Sequence, residues 1–440
     1  MDKSLIARII PRHMSEFDAD VIIIGCGPGG ASAACFLRQA GHSVIVLEKE
    51  KFPRFHIGES LLPYNQGLFK ELGVTPMIEA ARFPKKFGAQ FHLMDGSKCT
   101  RFVFRNGRFT AFHEAIQVER AKFDHILMKR AQQVGADVRE QWTVRKFSEN
   151  SNNVEVEASD DKGAVHKLRG KFLIDASGRN NVTGNQEKLR EIHENHRKFA
   201  VFTHFANVKL DEGEKGGDTI IVRLENRWFW LIPVAPDKVS VGLVIDRADL
   251  EREGNNPSQS FWDAVHSSEV MRERMACVTP HGELKTIADF SYHNRKLSGS
   301  RLLRVGDAAG FMDPIFSAGV YLAMWSGKIA SQAISKRLAD GRESHFVAYD
   351  KRVMKAMHVY WRLVENFYTT HFIELFMQPK PPLDLPAAVV AVLGGELEGG
   401  FHIKWRLEVF YFLVWLQKRW PIVPRLSLTN VSTPKHAMAN

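Results

Sequence analysis

The run Gly25-Cys26-Gly27-Pro28-Gly29-Gly30 constrains the fold more than any other stretch of the chain, because of what flanks it. Residues 21–24 (Val-Ile-Ile-Ile) form an apolar run that reads as a buried parallel strand, and the glycines fall where that strand must turn into a helix. Gly25 permits the tight turn, Gly27 lets backbone approach a pyrophosphate, and Gly30 lets the helix pack close to the strand. The small residues 31–34 open a helix that stops near Gly41, and residues 43–47 read as a second strand. Glu48 ends that strand, eighteen positions after Gly30, where an acidic side chain suits the hydroxyls of an adenosine ribose. The helix N-terminus supplies free amides and a partial positive charge for phosphates. A dinucleotide site follows.

Signals far down the chain favour FAD over NAD. Residues 172–178 and 304–310 each read as a strand ending in a small-residue turn, and both resemble flavoprotein motifs. In that resemblance Asp307 reaches the ribityl or pyrophosphate region, and the helix after Gly319 points its N-terminus at the flavin ring. A nicotinamide enzyme needs no such return to its cofactor. Gln117, Arg120 and Asp124 are placed with a predicted helix over 118–129, and Arg120 resembles the arginine that contacts FAD in this superfamily.

Size and composition bound the alternatives. The 440 residues leave room for two or three packed units, and 44% hydrophobic with 25% charged residues describes an ordinary soluble protein. Four cysteines without CxxC spacing point to a cytoplasmic chain free of disulfides and of metal. Arg8 interrupts the only apolar run of the first 17 residues, so a signal peptide is not expected and this segment reads as a poorly ordered tail. The formal charge is +10, and residues 401–440 supply half of it among seven aromatic side chains. That segment reads as a helix buried against the core, a membrane-surface helix or a face for an acidic partner. Its longest apolar run is too short to span a bilayer, so membrane contact is not expected. No nucleic-acid recognition module is visible.

The fold class expected is α/β: a Rossmann-like FAD-binding domain, an inserted and mainly antiparallel β substrate domain, and a helical C-terminal region. Cofactor-domain pieces are assigned to residues 18–85, 112–182 and 285–345. The substrate sheet takes 86–111 and the substrate domain 183–284, while 346–440 forms the helical region. The strands predicted within 86–110 and 199–246 read as one antiparallel sheet.

Two further motifs give this cofactor fold a particular chemistry. Trp228-Phe229-Trp230-Leu231-Ile232-Pro233 matches WxWxIP through Trp228, Trp230 and Pro233, and residues 311–319 fit FxxPxxSxG through Phe311, Pro314, Ser317 and Gly319. With the glycine motif, they resemble the flavin-dependent halogenases. The resemblance implies that the indoles lie between flavin and substrate. It also implies that chloride or bromide rests on backbone amides around Ser317, Ala318 and Gly319, a turn before a helix that offers donors without an acid. The strand 86–91 resembles the one bearing the essential halogenase lysine. Lys86 is favoured and Lys85 is the fallback, since alternation turns only one of them inward.

The implied activity uses reduced FAD, oxygen and halide to make hypohalous acid, whose electrophilic halogen Lys86 orients toward an electron-rich ring in secondary metabolism. A single dinucleotide fingerprint implies that reduced FAD comes from a separate flavin reductase. Tryptophan halogenases carry a glutamate where this chain has Phe316, and they have a longer C-terminal region. The expected substrate is therefore a phenol or pyrrole, free or presented by a carrier protein. A flavin monooxygenase and a prenyl-chain reductase of the same fold are the rival readings, along with a flavoprotein that has lost its chemistry.

Overall fold

Two large sheets, one made for a nucleotide and one for a wall, divide the work of this chain. The computed structural model describes residues 16–107, 109–193, 197–288, 291–378, 385–397 and 400–426. The tail expected before residue 18 lies almost wholly outside these.

The apolar strand Ala19–Ile24 is buried along its length and sits at the centre of the first sheet. It pairs in parallel with Val44–Glu48 on one side and Val165–Asp175 on the other, and Asp137–Glu140 and Leu302–Arg304 extend the parallel part. Val154–Ser159 and Thr143–Glu149 complete the sheet as antiparallel strands. Parallel strands buried on both faces need apolar side chains throughout, which is why Val21, Ile22 and Ile23 lie out of solvent. Helix Pro28–Gln39 covers one face. The long helix Gly319–Asp340 packs across it, with Ser331 Oγ donating to the carbonyl of Ala33 at 3.2 Å.

The second sheet has eight strands in the order Thr279–Pro280, Lys198–Ala206, Lys238–Asp246, Trp228–Ala235, Thr219–Arg223, Gly88–Leu93, Cys99–Val103, with Lys285–Ala288 also paired to Lys198–Ala206. It is antiparallel except at one seam, where Gly88–Leu93 runs parallel to Thr219–Arg223. The sheet is thus mainly antiparallel as expected, and this one pairing departs from it: the two strands come from distant parts of the chain, joined by a long connection rather than a hairpin. Alternation along Trp228–Ala235 sends Phe229 and Leu231 into one apolar cluster and Trp228, Trp230 and Ile232 into another shared with the first sheet.

Two local expectations also shift. The helix placed at 118–129 spans Arg120–Gln133, and Gln117 precedes it. The strand expected at 86–91 breaks at Phe87, so that Lys85–Lys86 pairs instead with Ala115–Ile116. The C-terminal region is helical, with Ser344–Phe367, Thr370–Phe376, Leu385–Gly394 and Phe401–Arg419. The last helix buries Ile403, Leu407, Phe410 and Val414 and exposes Phe412 and Trp415. Among the described residues no helix is long and apolar enough to cross a membrane.

Candidate active site

A cavity of about 690 Å³ runs between the two sheets, from Glu48 at one end to Trp228, Trp230 and the Ser317–Gly319 turn at the other. Its nucleotide end is built from the loops that follow the parallel strands, where open α/β sheets bind ligands. Gly25 takes φ +90, and a side chain there would meet the Ala176 carbonyl at 2.5 Å, so only glycine fits. Buried Glu48 closes the turn: its Oε2 accepts from the Cys26 amide at 2.8 Å and its Oε1 from the Glu50 amide at 2.9 Å.

Arg120 grips the same wall. It holds Asp124 with two bonds of 2.7 and 2.9 Å, and its Nη1 donates to the Ile57 and Gly58 carbonyls at 2.9 and 3.2 Å. Arg54 adds a bond to Asp124 at 3.1 Å. A buried pair of this kind is strongly destabilising when broken, by about 3–5 kcal/mol, because the remaining charge is left without a partner. Burial among these cations lowers His56 to about 4, which leaves its ring neutral near pH 7. Across the cavity Asp307 is pushed up to about 6 by burial, against the pull of Arg179 and Arg120.

The far end is aromatic. Trp228 and Trp230 face the cavity with ring centroids 5.9 Å apart. The Trp230 indole donates to Ser240 Oγ at 3.1 Å and lies over Gly242, the residue opposite it on the next strand. The Trp228 indole donates to Tyr368 Oη at 2.8 Å, and Tyr368 in turn donates to Asp313 Oδ2. Asp313 Oδ1 accepts from the Ile315 amide at 3.2 Å and so shapes the turn Pro314–Phe316. Burial raises Asp313 to about 6, although its hydrogen bond from Tyr368 and the charge of Lys198 oppose this. Ser317 takes the left-handed conformation at φ 57, and helix Gly319–Asp340 starts two residues later. The first amides of a helix have no partners within it, so this turn presents donors to the cavity end.

Of the two candidate lysines, Lys86 is 2% exposed, whereas Lys85 is exposed and pairs with Glu114 at 3.2 Å. Lys86 Nζ donates to Ser60 Oγ at 2.8 Å and to the Leu61 carbonyl at 3.2 Å, and it lies 5.5 Å from the centre of the Phe104 ring. Ser60 also bonds Thr219 Oγ1 at 2.8 Å, and Gln117 Nε2 donates to that Thr219 oxygen at 3.0 Å. Burial lowers the Lys86 amine to about 7, with Asp218 opposing the shift.

The cavity wall includes Gly25, Gly27, Glu48, Arg120, Trp228, Trp230, Asp307, Phe311, Pro314, Ser317, Ala318 and Gly319. Gly30, Pro233 and Lys86 lie behind it. Lys86 stands one layer back, reaching the wall through Ser60 and Thr219, which do line it. FAD fits the observed wall: the Gly25 turn has the required φ, Glu48 is fixed by two amides, and a side chain built on Gly319 would meet nothing within 4 Å, which leaves room for a ring.

Sequence reasoning passed over Asp313 although it lies inside a quoted motif, and it passed over Ser60 within Gly58-Glu59-Ser60-Leu61-Leu62-Pro63. Tyr368 carried no local signal, since it joins Trp228 from 140 residues away.

Residues 18–366 match the FAD binding domain family. The chain is 31% identical over 418 residues to a 1H-pyrrole-2-carbonyl peptidyl-carrier-protein chlorinase of Pseudomonas fluorescens, covering 89% of this chain and 92% of that one. It is 33% identical over 391 residues to the corresponding brominase of Pseudoalteromonas luteoviolacea, covering 87% and 93%. A flavoprotein/dehydrogenase structure from Cytophaga hutchinsonii superposes with TM-score 0.83 at 27% identity, over 91% of this chain and all of that one. The structure of the flavin-dependent brominase Bmp2 superposes with TM-score 0.79 at 29% identity, over 91% and 100%.

Proposed function

Because the chain belongs to the flavin-dependent halogenases, we propose that it halogenates a pyrrole presented as a carrier-protein thioester, with Lys86 delivering the halogen. The observation that carries this reading is the convergence of the Trp228–Trp230 face, the Ser317–Gly319 turn and the Ser60–Thr219 window over Lys86 around one cavity. Reduced FAD, when bound, supplies the electrons with which oxygen oxidises halide.

The chain's own groups do the rest. Gly25, Gly27, Glu48, Arg120 and Asp307 hold the cofactor, and the Ser317–Gly319 turn holds the halide through backbone amides. Trp228 and Trp230 fill the space between flavin and ring, so the ring is kept from the oxygen chemistry while hypohalous acid passes. Behind the Ser60–Thr219 window Lys86 takes the halogen: the neutral amine attacks it, an N–halogen bond forms and water leaves. This requires a lone pair, which the ammonium lacks. Burial that brings the amine to about 7 therefore sets it for the task.

The pH dependence follows with a definite sign. Below about 7 Lys86 is protonated and transfer fails; above it the neutral amine prevails. Product formation is expected to rise through an apparent pKa near 7, measured with hypohalite supplied directly so that flavin steps do not limit. A profile flat from pH 6 to 8 excludes the amine as the attacking group.

The substrate class rests on the chlorinase and brominase and on Phe316, which is buried and packs edge-on against Phe367 at 5.8 Å. A chain without a carboxylate at that point suits a ring already activated by its own nitrogen. The test is a competition between pyrrole-2-carbonyl carrier protein, a free phenol and free tryptophan, with a flavin reductase, NADH and chloride. The carrier-bound pyrrole is expected to take nearly all of the halogen, and no product is expected if the reductase is omitted. Efficient conversion of tryptophan overturns the substrate assignment.

A further inference from the structure

Electrophilic halogenation of a ring ends with the loss of a proton, and the chain must supply the group that takes it. Glu48, Glu50, Glu59, Asp307 and Asp313 line the cavity, and of these Glu50 is exposed to solvent. Both oxygens of Glu48 accept backbone amides, and both oxygens of Asp313 are engaged by Ile315 and Tyr368. Asp307 faces Arg179 and Arg120 at the nucleotide end. Position 316, where a carboxylate would stand beside the halide turn, holds phenylalanine.

Glu59, which feels the charge of Arg120 as Asp307 does, differs in having a buried oxygen without a donor. It lines the cavity beside Ser60, the residue to which Lys86 donates, and it is 1% exposed. His204 Nε2 bonds its Oε1 at 2.7 Å, while its Oε2 is buried with no hydrogen-bond partner in the protein. A buried carboxylate oxygen left without a donor is costly and calls for a functional reason. His204 is itself held in place, edge-on to Phe55 with ring centroids 6.1 Å apart, and its side chain is 19% exposed. The dyad thus joins the cavity wall to solvent.

We propose that Glu59 is the catalytic base that removes the ring proton after halogen transfer, with His204 as the residue that positions it. This rests on the halogenase reading above. The ring π electrons form the carbon–halogen bond as the nitrogen–halogen bond of Lys86 breaks, and the lysine nitrogen keeps that pair and takes up one solvent proton to return to the amine, which balances the ring proton lost. The proton at the substituted carbon then passes to Glu59 Oε2, and the C–H pair restores the aromatic ring. No further oxidant is consumed.

The test uses the full chain with FAD and separates oxidation of halide from its transfer. Glu59→Gln keeps the shape and removes the base. Hypohalite formed from reduced FAD, oxygen and chloride, trapped with taurine, is expected to stay within about threefold of the parent. Halogenated pyrrole is expected to fall about 100-fold, the lower end of what one general base contributes. Ring-deuterated pyrrole should then show a primary isotope effect above 2 in the variant and none in the parent, since proton loss has become limiting. A purely structural role would not create an isotope effect. His204→Gln should give a smaller loss with the same isotope effect, and it keeps the proposal testable if Glu59→Gln folds poorly. Undiminished product from both variants, or a loss without any isotope effect, overturns the proposal. Absence of hypohalite from the parent protein would instead overturn the halogenase reading.

Discussion

Lys86→Ala is expected to lower halogenated product at least about 1000-fold while leaving FAD affinity and oxygen consumption by the reduced flavoprotein within about twofold, the order expected when an oriented reacting group is deleted. The selectivity of the loss follows from position: Lys86 stands behind Ser60 and Thr219, outside the nucleotide end of the cavity. Its removal leaves Ser60 bonded to Thr219, and the Leu61 carbonyl is the buried group that gives up its hydrogen bond to the lysine. The exposed neighbour supplies the control, because Lys85→Ala removes only a solvent-facing pair with Glu114. Product yield by mass spectrometry and flavin reoxidation by absorbance check both parts. Normal halogenation by Lys86→Ala moves the assignment to another nucleophile.

Gly30→Ala is expected to abolish FAD binding. A methyl group there would lie 2.0 Å from the Gly25 carbonyl oxygen and 3.2 Å from the Ala176 side chain. Both neighbours are fixed, since Gly25 donates to the Leu47 carbonyl at 2.8 Å and Ala176 to the Ile24 carbonyl at 2.9 Å. Relief therefore requires opening the turn that presents helix Pro28–Gln39 to the phosphates, and the helix-end donors are lost together. The measurement is FAD retained after desalting, with circular dichroism to show that the sheets persist. A variant that keeps one FAD per chain contradicts the packing argument.

The contrast between these two residues shows which parts of the molecule a sequence can display. Gly30 acts within a unit of about thirty residues, where the apolar period, the glycine spacing and Glu48 follow one another along the chain. The α/β class and a dinucleotide cofactor were legible for that reason. Alternation at Lys85 and Lys86 limited the lysines to one inward member, but it could not show that Ser60 and Thr219 stand between Lys86 and the cavity. The seam of Gly88–Leu93 against Thr219–Arg223 was misread because its partners lie far apart in sequence and run parallel. The same distance hid the Tyr368 bridge between Trp228 and Asp313, and the Glu59–His204 pair, whose members are 145 residues apart. Short aromatic and acidic residues carry no pattern of their own; tertiary pairing alone gives them a role.

The central claim is that one chain turns reduced FAD, oxygen and halide into a carbon–halogen bond. The most direct measurement is a single turnover with chemically reduced FAD, air, chloride and pyrrole-2-carbonyl carrier protein, the product read for the two-mass chlorine isotope pattern. The account predicts a chlorinated pyrrole that disappears when chloride, oxygen or FAD is left out and becomes the brominated pyrrole when bromide replaces chloride. A hydroxylated or reduced product, or an unchanged pyrrole with all of the oxygen released as peroxide, would contradict it.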